Sequence, residues 1–158
     1  MTVTITTDIA YEDPEGPIVG ERMIENRTGT HAFRDNNPGN MKAGAFAQVN
    51  GSVGTDGVFA VFSSSGAGFL ALNALLSGPS YQNLTVDQAI YRYAPPSEND
   101  TGAYQTTIRT AVGVTGNTRM SALNADQRGQ MAQAIARYEG FYVPGIVETV
   151  VIPIFRIP

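Results

Sequence analysis

The sequence predicts a mainly α fold of α+β type, with short β-strands at both termini and a small irregular lobe. Three observations predict it. Thr85-Val86-Asp87-Gln88 and Asn124-Ala125-Asp126-Gln127 are capping boxes, in which the first side chain takes a backbone N–H and the Gln reaches back, so each announces a helix. Apolar residues at helical spacing fill the second half of the chain. Thr alternates with Val and Ile over residues 2–6, and residues 146–157 are rich in β-branched side chains, which marks strands at the ends. The 158 residues suffice for one domain with its own core. They divide into an N-terminal strand and appendage (1–17), a main domain (18–145) and a β-like tail (146–158).

In order, the first strand closes at the turn Asp13-Pro14-Glu15-Gly16-Pro17. Residues 18–26 can form a helix or a strand, since Val19, Met23 and Ile24 fit neither period cleanly. Residues 28–57 hold many Gly and Asn and few periodic apolars, which predicts loop with short hairpin strands, closing before a strand over 58–62. Serines at 63–65 can cap a helix running to about Leu76, with Phe69, Leu72, Leu75 and Leu76 on one stripe, stopped by Gly78-Pro79. The first capping box starts a helix at Val86 that ends at Ala94-Pro95-Pro96. Asp100 or Thr101 caps the next, which runs to about Val112 and stops at Gly113. The last helix buries Met131, Ile135 and Tyr138 and ends at Glu139-Gly140. The tail, broken by Pro153, can pair with the N-terminal strand, because chain ends often lie close, or dock onto another protein by edge addition.

Composition removes several functions. With no cysteine there is neither disulfide nor thiolate metal site. A net charge of −4 argues against a nucleic-acid partner. No run reaches the roughly 18 apolar residues of a membrane span, and no Sec-type leader opens the sequence, so action outside the cell would need another carrier. The single histidine, His31, has no GxSxG serine to serve and reads as a loop residue, and no acidic cluster has metal-loop spacing, so no cofactor is expected.

Carboxylate chemistry remains, the means of cleaving glycosidic bonds, where one acid must stay protonated to donate to the leaving oxygen. Glu139 ends an amphipathic helix beside Phe141 and Tyr142. Helix-end carbonyls and aromatic desolvation would both favour its protonated form. It reads equally as an exposed last-turn acid. Glu25 could end a short helix opening onto the loop layer, or form a structural salt bridge. Glu98, between Pro96 and the Asn99-Asp100-Thr101 cap, suits sugar binding or simple helix-end stabilisation. Asn36, Asn37 and Asn40 surround Pro38-Gly39, and their amides match glycan hydroxyl and N-acetyl groups, though turn formation also explains them. Tyr91, Tyr93 and Tyr104 could stack on sugars or pack inside.

The Arg-x-Asn-Asn-Pro-Gly-Asn loop (34–40), Phe59-Ala60-Val61-Phe62 with Gly68 and Ala71-Leu72, the block Tyr93-Ala94-Pro95-Pro96-Ser97-Glu98-Asn99-Asp100-Thr101 with Tyr104, and Ala134-Ile135-Ala136-Arg137-Tyr138-Glu139-Gly140-Phe141 occur in the order of a known family. Across residues 33–145 the chain resembles the lysozyme-like, peptidoglycan-cleaving domains of phage virion proteins and bacterial antagonistic effectors. That resemblance implies a lysozyme-superfamily fold in circularly permuted order, with a glycan cleft between a helical and a loop lobe. It implies cleavage between MurNAc and GlcNAc by a muramidase or lytic transglycosylase acting in the periplasm or cell wall, brought there in a virion or by a secretion system. Glu139, in Tyr-Glu-Gly, would be the catalytic acid, with Glu25 the alternative if the order is not permuted. Asn36, Asn37, Asn40, Tyr93, Glu98 and Asp100 would bind the glycan, and Asp35, Asp56 or Asp100 could activate water. The terminal strands suggest attachment to a virion or secretion-machine protein. The rival reading is a non-catalytic structural or glycan-binding virion component; a stem-peptide peptidase or amidase is disfavoured by the missing Cys and lone His.

Overall fold

The computed structural model describes residues 1–157. It corrects the expected fold class: the chain is 40% helix and 24% strand, a mixed α+β architecture and not a mainly helical one. The difference lies in residues 18–26 and in the length of the terminal strands. β1 (Val3–Ala10), β2 (Ile18–Arg27) and β5 (Val147–Phe155) form a three-stranded antiparallel sheet in the order β1-β2-β5. The tail therefore does not pair with the first strand. Both flank β2, with Thr6 opposite Ile24 on one side and Val150 opposite Ile24 on the other. β2 hid its period because Glu21, Arg22, Glu25 and Arg27 place charge on both of its half-exposed faces.

Only the proximal part of this sheet touches the body. Val3 and Ile5 of β1 are buried against Val61 of β4 (Ala60–Phe62), which pairs with β3 (Ser52–Thr55) in a hairpin. β5 stays largely exposed, with one edge open.

The helical body follows its local signals. α1 (His31–Arg34) and α2 (Ala45–Val49) are single turns inside the expected loop layer. α3 (Ser65–Ser77) is capped by Ser64, and the short α4 (Pro79–Gln82) follows Gly78. α5 (Val86–Tyr93) and α7 (Ala125–Tyr138) both begin in complete capping boxes, and α6 (Thr101–Val112) begins at Asp100. Leu72, Leu76, Ile90, Tyr104, Ile108, Met131 and Ile135 close one core among α3, α5, α6 and α7. A second cluster, Met41, Ala47, Ala60, Phe62 and Ala71, seats the loop layer on α3. The result is a helical wall facing a loop wall.

Candidate active site

Between those walls lies a cleft of about 360 Å³, whose lining includes Asn40, Lys42, Phe59, Arg92, Tyr93, Pro95, Glu98 and Glu139. Glu139 is the residue where α7 stops, its N–H still bonded to Ile135 O at 2.9 Å. Gly140 then turns the chain with φ of 78°, a conformation that favours glycine, and its carbonyl accepts from the Thr30 hydroxyl at 2.8 Å. The turn leaves the Glu139 side chain half-buried in the cleft wall.

Both of its oxygens are held. Asn40 Nδ2 donates to Oε2 at 2.7 Å, and the Tyr104 hydroxyl donates to Oε1 at 2.8 Å. Tyr104 is fully buried on α6 and stacks on Tyr138, with ring centroids 3.8 Å apart. Burial and the nearby charge of Glu139 push the Tyr104 and Tyr93 phenols well above their ordinary range, so both keep their protons at any physiological pH. The Tyr104 hydroxyl can donate to a carboxylate or accept from a carboxylic acid, so it accommodates either state of Glu139.

The asparagine turn divides its labour. Among the described residues, Asn36 and Asn40 are the non-glycine residues with positive φ, 51° and 46°, a region Asn tolerates better than most side chains. Asn37 is buried and structural: it accepts from Met41 N at 2.9 Å and donates to Met41 O at 2.8 Å and Ala60 O at 2.9 Å. Asn36, also buried, donates to Phe62 O at 3.2 Å. Of the three, only Asn40 lines the cleft, and its Oδ1 is buried without a partner. Gly39 packs under Tyr93, where a Cβ would overlap the hydroxyl that donates to the Gly39 carbonyl.

Across the cleft, Thr101 Oγ1 donates to Ala94 O at 2.6 Å and fixes the double-proline segment. Asp100 is used as the α6 cap, accepting from Ala103 N at 3.0 Å, and does not line the cleft. Glu98 does, paired with Lys42. Glu25 lies elsewhere: it sits on β2 in a separate groove with Met23, Arg27, Phe33, Phe141 and Tyr142, 3.5 Å from the Arg27 guanidinium. The sequence singled out neither Lys42 nor Tyr104 as a partner of these acids. Lys42 could have been noticed as the chain's one lysine, two residues after Asn40.

The expected water-activating aspartates are also placed away from the cleft. Asp35 and Asp56 meet His31 behind the loop wall, their potential ligand atoms within 4.8 Å of one another. The cation position in that group is already filled, because Arg34 Nη2 stands 2.7 Å from Asp56 Oδ2 and 2.6 Å from His31 Nδ1. Burial and the charge of Asp56 push Asp35 up to about 7, only partly offset by Arg34. Asp56, despite burial, is held well below its ordinary value by the Phe59 and Val58 amides, Arg34 and His31. An aspartate that binds its proton more tightly when folded loses stability as pH rises from about 4 to about 7 and levels off above. Asp35→Asn is therefore expected to gain on the order of 2 kcal/mol over wild type between about pH 5 and pH 8, measured by denaturant melts at both values.

No family model and no curated protein matches the chain.

Proposed function

We propose that the protein cleaves the glycan strand of peptidoglycan between MurNAc and GlcNAc, with Glu139 as the single acid and the sugar's own C6 hydroxyl as nucleophile. The observation that carries this reading is a glutamate at a helix end, held at both oxygens, in a cleft whose other carboxylate is paired to a lysine. The motif order across residues 33–145 supports the substrate.

The chemistry follows from one acid used twice. Protonated Glu139 gives its proton to the glycosidic oxygen as the C1–O bond breaks. The C6 hydroxyl of the same MurNAc attacks C1, and its proton returns to the Glu139 carboxylate. The products are an anhydro end and a free GlcNAc hydroxyl. Water attack would need a second carboxylate poised across the bond, and Asp35, Asp56 and Asp100 all lie outside the cleft lining.

Asn40 and Tyr104 hold the two oxygens of the acid in place. Tyr104→Phe is expected to lower kcat about tenfold with KM little changed, because only the bond to Glu139 is lost. Steady-state release of muropeptides checks it.

The site of action on this reading is the bacterial cell wall, reached in a virion or through a secretion machine. The open edge of β5, with Val150, Val151, Ile152 and Phe155 exposed, supports attachment to such an assembly. A binding-only virion component is the second reading, favoured by the fact that both Glu139 oxygens are already occupied. Incubation with purified sacculi separates the two. Soluble glycan fragments are expected, whereas tight binding without release replaces the enzymatic reading.

A further inference from the structure

Lys42 is the chain's single lysine, and it stands at the cleft. It follows the asparagine turn, and an isolated bridge to Phe59 fixes its backbone. Its Nζ reaches the opposite wall, 2.9 Å from Glu98 Oε1 and 3.0 Å from Oε2. The side chains are 62% and 51% exposed, so the pair is weakly held and exchanges with solvent and ligands at little cost. The other cation lining the cleft, Arg92, is engaged differently: it donates to the Ser80 carbonyl and lies over the Tyr81 ring.

We propose that Lys42 reads a carboxylate on the incoming glycan, and that Glu98 is the internal occupant which that carboxylate displaces. The proposal rests on the peptidoglycan reading and narrows it. The ligand is a β-1,4 glycan bearing carboxylates on its lactyl-linked stems, in preference to a neutral glycan of the same sugar rings. A ligand carboxylate offers Lys42 the same two charge-assisted hydrogen bonds that Glu98 offers now. Displaced Glu98 turns to water from a position already half exposed. Lys42 thus makes the cleft select for acidic substrate, and Glu98 competes with the ligand carboxylate for it.

The test is calorimetric binding on the Glu139→Gln background, which prevents turnover, with GlcNAc-MurNAc-peptide oligomers and chitooligosaccharides of equal ring number. Lys42→Met should weaken the acidic ligand about tenfold and abolish the salt dependence of its binding. Glu98→Gln should strengthen it several-fold, and Lys42→Arg should restore most of the loss. In both Lys42→Met and Glu98→Gln the acidic-to-neutral affinity ratio moves, in opposite directions. Equal shifts for both ligands, or none, overturn the proposal while leaving glycan binding intact. If neither glycan binds a Glu139→Gln protein that melts like wild type, the peptidoglycan reading falls and the proposal with it.

Discussion

Glu139→Gln is expected to reduce release of soluble fragments from purified sacculi by about a thousandfold or more, within the range associated with a general acid, while leaving binding to sacculi and melting temperature near wild type. Gln keeps the shape and an acceptor for Asn40 and Tyr104 but carries no transferable proton. Glu25→Gln, made in parallel, should change the rate less than twofold, because Glu25 faces the groove between the sheet and the body and meets Arg27 there. The pair of variants assigns the acid: loss of activity with Glu25→Gln and not with Glu139→Gln would move the chemistry to the other groove.

The second large effect is structural. Asn37→Ala removes a buried amide that bonds Met41 N, Met41 O and Ala60 O together; Met41 O keeps the Ala60 N–H, while Met41 N and Ala60 O lose the amide. Buried backbone groups left unpaired cost about 1–3 kcal/mol each, so a loss of roughly 3 kcal/mol and a fall in Tm on the order of 10 °C are expected. The loss should reach the cleft as well. Asn37 fastens the turn to β4, and Asn40, three residues on, holds Glu139 from that turn. Thermal melts together with kcat, measured well below the variant's Tm, check both halves, with kcat expected to fall even where the protein remains folded.

How much of this was legible in the sequence depended on whether the cause was local. Thr85 with Gln88, and Asn124 with Gln127, fix helix starts through bonds spanning three residues, and the helices start where those residues predict. The end of α7 at Glu139-Gly140 was readable for the same reason, since the left-handed glycine sits next to the residue it exposes. β2 was not readable, because a central strand of a sheet largely open on both faces has no apolar side to show. Left open between helix and strand, it let the chain look mainly helical and let Glu25 stand at a helix end it does not have.

Long-range pairings were likewise invisible. Nothing local tells that Tyr104, read as packing or stacking, bonds to an acid 35 positions later, or that Asp56 folds onto Asp35 behind the loop wall. The asparagine turn was legible as a unit but not in its division: two of its amides hold the backbone and one serves the cleft.

The most direct test of the central claim, a lone acid working with the sugar's own hydroxyl, is mass spectrometry of fragments released from purified sacculi by the wild-type protein in water enriched in heavy oxygen. The account predicts anhydro MurNAc ends without incorporated label. Reducing ends carrying the heavy isotope would contradict it, since they require water activation by a second carboxylate, for which Glu98 is the candidate in the cleft lining.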